Sequence, residues 1–231
     1  MKKILLGFIA IGLITFVGCG TSKKNISTTI DLDGNTYKTV KIGTQEWMEE
    51  NLNLDHFQNG DIIQEAKTKE EWFKAGENRQ PACCNYDNNS SNGEKYGKLY
   101  NFYAVSDPRG LALNGWHVPT DAEWTVLENY LGANGYSDKT GDALKSKYDW
   151  KDIRDGTSRN GTDDYGWLGL PGGYLNSLGV FDYIGNYGYW WSSSQYSTDN
   201  AWYRDLSRYD DYVYRNDYNK SYGFSVRCLR D

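Results

Sequence analysis

The sequence predicts an α+β protein, with short helices in its first half and a twisted antiparallel sheet with many loops in its second half. Two helix-capping patterns lie before residue 132, whereas the part beyond about residue 150 is dominated by Gly, Asn, Ser and aromatic residues in short β-type runs. Because helices and strands are segregated along the chain and do not alternate, we do not expect a parallel α/β sheet.

The N-terminal residues resemble a bacterial lipoprotein signal peptide. Residues 1–3 (MKK) are positive, and the apolar run over 4–17 is roughly 21 Å long as a helix, shorter than the apolar core of a bilayer. The run ends in residues 16–19 (FVGC), which resemble the lipobox that precedes acylation. We expect a signal peptide over 1–18, lipid on Cys19, a flexible tether over 19–28 and one domain over 29–231. The alternative is an ordinary secretory signal in which Cys19 is incidental.

The domain is predicted to open with a β-hairpin. Thr29–Leu32 and Thr36–Ile42 are strand-like segments on either side of the turn residues Asp33-Gly34. A second turn at Gly43-Thr44 leads into Glu46-Trp47-Met48.

Two segments carry the capping-box pattern of a helix start. Residues 68–71 (TKEE) predict a helix through Lys74 that Gly76 ends, and a polar loop is expected over 85–95. The clearest helix is predicted over 121–131, with Thr120 as N-cap and Gly132 just past its end. A shorter helix is expected over 140–147.

The second half predicts four strands, at 190–192, 201–206, 211–215 and 223–229. The last two of these suggest a meander.

Composition excludes some functions. The chain has a formal net charge of −6 and no basic patch, which argues against nucleic acid as a partner. After the signal peptide there is no second apolar run of spanning length, so membrane contact is expected through the lipid alone. The aromatic content, with 20 tyrosines and 9 tryptophans, suits half-buried strands and recognition surfaces.

Three cysteines remain after Cys19. Because adjacent cysteines rarely bond each other, we expect a disulfide from the doublet Cys83-Cys84 to Cys228, with Cys84 as the first candidate and Cys83 as the alternative. The histidines, His56 and His117, are far apart in sequence and no spaced Cys/His array is present, so no metal site is predicted.

The region 174–218 supplies the candidate ligand-binding residues. Sugars bind by stacking on aromatic rings and by hydrogen bonds to polar side chains, and both kinds of residue are dense here. The candidates are Tyr187, Tyr189, Trp202, Tyr203, Arg204, Asp205, Tyr212 and Arg215.

A series of segments follows the order of a known family. They are 31–43 (DLDGNTYKTVKIG) with 45–52 (QEWMEENL), 96–105 (YGKLYNFYAV), 115–124 (GWHVPTDAEW), 170–174 (LPGGY), 188–193 (GYWWSS) and 222–228 (YGFSVRC). These segments resemble the FISUMP domain, the Fibrobacter succinogenes major paralogous domain, over residues 29–231. The resemblance implies a C-type-lectin-like α+β fold, shared with formylglycine-generating enzymes, and secretion or lipid anchoring; it implies no defined activity.

The chain departs from relatives of known chemistry. Calcium-dependent lectins of this fold use a Glu-Pro-Asn loop and a Trp-Asn-Asp strand, and neither is present. Formylglycine-generating enzymes need paired cysteines near the C-terminus, whereas here the doublet lies mid-chain. Asn85 follows this doublet where the family has an aromatic residue, which leaves open which cysteine faces Cys228.

We therefore expect a lipid-anchored binding or adhesion module of the outer membrane, for polysaccharide or a surface protein, without catalytic residues or cofactor. The face of the membrane stays open. The alternatives are a structural component of the cell surface and, less favoured, an enzyme related to formylglycine-generating proteins. The oxygen-rich stretch 155–164 is a weak candidate for a structural calcium ion.

Overall fold

In the part of the chain that the structure describes, four antiparallel sheets form with short helices between them, so the α+β class is confirmed. A computed structural model describes residues 27–31 and 34–231. Cys19, the predicted signal peptide and most of the predicted tether lie outside the described residues, as do Leu32 and Asp33 next to the first predicted turn.

The N-terminal hairpin starts the larger sheet. Strands β1 (Ser27–Ile30) and β2 (Thr36–Ile42) pair antiparallel, with Ser27 opposite Thr39, so the hairpin prediction is confirmed and the first strand takes two residues from the predicted tether. Strand β3 (Gln45–Met48) follows the predicted second turn and pairs antiparallel with β2. With β6 (Trp116–His117) and β12 (Leu229–Arg230) they form a five-stranded sheet in the order β1-β2-β3-β12-β6.

Both capping boxes begin helices as predicted. Helix α1 (Lys69–Glu77) starts after Thr68, and helix α4 (Asp121–Leu131) starts after Thr120, whose hydroxyl accepts a hydrogen bond from the backbone N–H of Glu123. The ends differ from expectation, because α1 runs to Glu77 and Gly132 keeps a right-handed helical conformation. The chain leaves α4 through a π-turn over Gly132–Tyr136, in which Gly135 takes the positive φ.

The middle of the chain contains more helix than predicted. The supposed polar loop 85–95 holds a 3₁₀ turn at Tyr86–Asn88 and most of helix α2 (Ser90–Tyr96), which Asn89 caps. Helix α3 covers Phe102–Val105, and α5 covers Thr140–Leu144, shorter than the predicted 140–147. The remaining short strands are paired as β4 (Cys83–Cys84) with β5 (Leu99–Tyr100), and β7 (Tyr174–Leu175) with β8 (Phe181–Asp182).

The second half forms a meander of β9 (Tyr187–Gln195), β10 (Asn200–Ser207) and β11 (Val213–Asn219), in the order β11-β10-β9. The predicted meander of 211–215 with 223–229 is wrong. Residues 223–228 cross between the sheets through single bridges, such as Phe224 with Tyr100 and Ser225 with Trp190, before β12 joins the larger sheet.

The predicted disulfide is not formed in the described part of the chain, where Cys83, Cys84 and Cys228 are free, buried thiols. Cys83 and Cys228 lie in the largest apolar cluster, whereas Cys84 lies in another cluster with Trp72 and Tyr86. Successive residues of a strand point to opposite sides, which carries Cys84 away from Cys228. Burial raises the pKa of Cys83 and of Cys228 to about 12.

Tryptophans fill the core beside α4. The rings of Trp47 and Trp124 lie 5.0 Å apart and those of Trp167 and Trp190 5.1 Å apart, and all four side chains are buried. Such tilted and edge-to-face contacts stabilise a core beyond the area that they bury. No helix within residues 27–31 and 34–231 is long and apolar enough to cross a bilayer.

Candidate binding site: a tyrosine-lined cleft

A cleft of about 500 Å³ opens on one face of the β9-β10-β11 meander, and we call it the tyrosine cleft. Its size falls within the range of small-molecule sites, which is roughly 300–1,000 Å³. The residues that line it are Tyr174, Tyr183, Tyr187, Tyr189, Tyr203, Asp205, Ser207, Asp210, Tyr214, Asn216, Tyr218, Tyr222 and Phe224.

Strand alternation selects most of these residues. In a strand every second side chain points to the same face, and the cleft receives 187 and 189 from β9, 203, 205 and 207 from β10, and 214, 216 and 218 from β11. Register then sets neighbours across the strands: Asp205 lies opposite Tyr189 on one side and Tyr214 on the other. The carboxyl group is therefore flanked by two phenol rings.

Phe224 forms the floor of the cleft. It is 1% exposed. Its ring lies stacked 5.1 Å from that of Tyr189 and makes tilted contacts with Trp191, at 4.3 Å, and Tyr203, at 4.9 Å. Tyr174 joins the wall, with its ring 5.2 Å from that of Tyr189. Because each ring packs against several others, the cleft is pre-formed and a ligand has few side chains to order.

Asp205 is the buried carboxyl group of the cleft. It is 6% exposed and its Oδ1 accepts a long hydrogen bond, 3.4 Å, from Nδ2 of Asn216. Burial raises the pKa of Asp205 to about 7, against the opposing effect of the Asn216 amide. Within the described part of the chain, no lysine, arginine or histidine forms an ion pair with this carboxyl group.

The tyrosine hydroxyls supply both donors and acceptors. Those of Tyr187 and Tyr189 form no hydrogen bond with any residue of the described ranges, and they face the cleft. Burial raises the pKa of Tyr174 to about 12 and that of Tyr189 still further, so these phenols stay neutral near pH 7. A neutral phenol donates one hydrogen bond and accepts others, as a sugar hydroxyl requires.

Four of the eight residues predicted from sequence lie in this cleft, namely Tyr187, Tyr189, Tyr203 and Asp205. Trp202, Arg204 and Arg215 point to the opposite face of the sheet, towards α4. Tyr212 lies in the turn before β11, with its side chain 46% exposed and outside the cleft.

Of the three residues on the opposite face, the two arginines hold α4 against the sheet. Arg204 is 1% exposed and pairs with Asp121 at 2.8 Å and with Glu128. Arg215 binds both carboxylate oxygens of Asp121, at 2.9 and 2.8 Å, and its guanidinium lies 3.5 Å from the ring centre of Trp202. Their contacts are therefore structural, within the fold.

The eight candidates leave out nine residues of the cleft, of which Tyr183 and Asp210 belong to the aromatic and acidic residues of the region 174–218 that the sequence offers for binding. The nine are Tyr174, Tyr183, Ser207, Asp210, Tyr214, Asn216, Tyr218, Tyr222 and Phe224. Period-two alternation along the predicted strand 201–206 was a usable signal, since it separates 203 and 205 from 202 and 204. Tyr174 and Tyr222 come from distant segments and carry no such local signal.

His117 bridges two carboxylates. Its Nδ1 lies 2.7 Å from Oδ1 of Asp231 and its Nε2 lies 3.0 Å from Oε1 of Glu123. Both ring nitrogens are thus engaged by acidic partners, and the residue ties β6 to the start of α4.

The stretch 155–164 does not gather its carboxylates. Asp155 accepts a hydrogen bond from the backbone of Thr157, and Asp164 accepts hydrogen bonds from the hydroxyls of Tyr136 and Thr162. Among the described residues, no group of three or more His, Cys, Asp or Glu side chains is placed to hold a metal ion.

Comparison with known proteins gives one family. The family model described as Fibrobacter succinogenes major domain matches residues 40–230, a span that includes every residue of the tyrosine cleft. No curated protein and no solved structure matches the chain. Since the family model covers well over half of the sequence, the chain belongs to the Fibrobacter succinogenes major domain family.

Proposed function

We propose that this protein is a binding module of the cell envelope that holds a carbohydrate in the tyrosine cleft. The observation that carries the proposal is the combination, in one open cleft, of many tyrosine ring faces, the uncommitted hydroxyls of Tyr187 and Tyr189, and a buried carboxyl group. This chemistry matches the amphipathic surface of a sugar.

Each part of the cleft has a counterpart on a pyranose ring. The apolar C–H face of the sugar packs on rings such as Tyr187, which is partly exposed at the rim. Sugar hydroxyls pair with Tyr189, Asn216 and Ser207, which offer both donors and acceptors. The mutual packing of the rings keeps the entropy cost of binding low.

Binding is favoured over hydrolysis of the sugar. Glycosidases place two carboxyl groups on either side of the scissile bond. The cleft contains Asp205 and Asp210, but Oδ1 of Asp210 accepts a hydrogen bond of 3.2 Å from the backbone N–H of Tyr212 and so caps the turn before β11.

The decisive experiment is a polysaccharide-binding survey with the purified full-length protein. We expect binding at micromolar protein, and Tyr187→Ala weakens it about tenfold because a stacking ring is lost. Tyr212→Ala is the matched control, since this tyrosine is exposed but lies outside the cleft. The proposal fails if no polysaccharide binds, or if both variants lose binding equally.

The same proposal places the domain on a lipid anchor at Cys19, at the outer membrane, with a C-type-lectin-like fold. The lipobox-like residues 16–19 and the polar tether support it. We expect incorporation of a labelled fatty acid into the wild-type chain and none into Cys19→Ser. Equal labelling of the wild type and of Cys19→Ser would contradict lipidation at Cys19.

A further inference from the structure

The tyrosine cleft has charges of only one sign. Asp205 and Asp210 are its ionisable acids, and of the described residues that line it none is a lysine, arginine or histidine. Asp205 is the deeper of the two by exposure, at 6%, and its one hydrogen bond within the described residues is the 3.4 Å contact with Asn216. An ionised carboxylate in such a place lacks a counter-charge.

A cationic group of a ligand can supply the counter-charge that the Asp205 carboxylate lacks within the cleft. An ammonium group beside Asp205 gives the carboxylate an ion pair that the protein does not provide. Tyr189 and Tyr214 lie directly across from Asp205 on the two neighbouring strands, so their rings flank the same point. Aromatic faces attract cations, and more strongly when water is excluded.

We propose that the carbohydrate held in the tyrosine cleft carries free amino groups, with one ammonium group seated against Asp205 between Tyr189 and Tyr214. This rests on the proposed function and names its ligand class, a polysaccharide of amino sugars. The same charges disfavour acidic polysaccharides, because a uronic acid carboxylate in the cleft meets Asp205 and Asp210, and no lysine, arginine or histidine is among the described residues that line it.

Calorimetric titration of the full-length protein near neutral pH tests the inference. The probes are a β-1,4-linked glucosamine hexamer and the same hexamer with every amine acetylated, which differ only in the positive charge and the acetyl group. We expect the free-amine hexamer to bind at least about tenfold more tightly. In Asp205→Asn we expect this preference to fall to within about twofold, while an unchanged circular dichroism spectrum shows that the variant is folded.

Asp217→Asn is the matched control for net charge. Asp217 lies on β11 but does not line the cleft, and its Oδ2 accepts a hydrogen bond of 2.7 Å from Asn200. We expect this variant to keep the full preference, which separates a seat at Asp205 from general attraction of a polycation to an acidic protein.

Three results overturn the inference. If the wild type binds both hexamers with equal affinity, the amino group has no role in recognition, while the proposal of carbohydrate binding still stands. Equal loss of preference in Asp205→Asn and Asp217→Asn shows attraction by net charge alone. A lysine hexapeptide that binds as tightly as the glucosamine hexamer, with the same dependence on Asp205, makes the ligand a lysine-bearing protein and no longer a sugar.

Discussion

Asp205 shows how the residue that we propose for ligand binding also has a cost in stability. Its carboxyl group is 6% exposed, and burial raises its pKa from 3.8 to about 7. The folded state thus holds the proton more tightly than the unfolded chain does. The contribution of this proton to the free energy of unfolding is fully present below about pH 4, and it is lost as pH rises through about 7.

The buried carboxyl group of Asp205 makes the stability of the fold depend on pH. Above about pH 8, Asp205→Asn increases the free energy of unfolding by on the order of 3 kcal/mol, because no charge remains to be buried. Near pH 4 the variant and the wild type are about equally stable. Urea denaturation at both pH values measures the effect, and an equal difference at the two would contradict it.

At the scale of single elements, α4 is the helix on which most contacts converge. Its capping box joins Thr120 and Glu123, and the side chain of Glu123 also contacts His117. Its outer turns carry Asp121 and Glu128, which pair with Arg204 of β10. The start of this helix therefore organises both the larger sheet and the back of the meander.

We predict that Thr120→Ala lowers the free energy of unfolding by about 1 kcal/mol, since one N–H at the start of α4 loses its acceptor. Val126→Ala on the same helix is the control. Val126 is 47% exposed, and we expect a change of less than about 0.5 kcal/mol. Thermal or urea unfolding monitored by circular dichroism compares the two, and equal losses would show that the cap contributes nothing specific.

At the scale of the whole molecule, Arg227 links segments that are far apart in sequence. It is fully buried and donates to Oδ1 of Asn51, at 3.0 Å from Nε and 2.6 Å from Nη2, and to the backbone carbonyl of Trp167. Its guanidinium lies 4.1 Å from the ring centre of Trp167. Desolvation lowers the pKa of Arg227 to about 9, so the group stays charged at neutral pH and depends on these acceptors.

Removing the main acceptor is therefore costly. We expect Asn51→Ala to lower the free energy of unfolding by roughly 3 kcal/mol, because it leaves two donors of a buried cation unpaired and also removes the acceptor of the Trp190 indole N–H. Asn129→Ala, at an exposed position of α4, is the control and stays within about 0.5 kcal/mol. A loss under 1 kcal/mol for Asn51→Ala would show that the core supplies other acceptors.

The sequence by itself determined the features that depend on neighbouring residues. Thr68 and Thr120 predict helix starts because each N-cap residue and its glutamate partner lie three residues apart. The first hairpin is predicted by a turn between two strand-like segments. The α+β class follows from the same local signals, as does the presence of strands at 190–192 and 201–206.

Only the tertiary structure decided which residues face one another. Because side chains alternate along a strand, the predicted ligand-binding residues lie on both faces of the sheet. Asp205 lines the cleft, whereas Arg204 contacts α4 on the opposite face. The same alternation separated Cys84 from Cys228. Tyr174 and Phe224 join the cleft because the crossing segment 223–228 runs between the sheets. Contacts between residues so far apart depend on how the sheets pack, and no local pattern in the sequence records that packing.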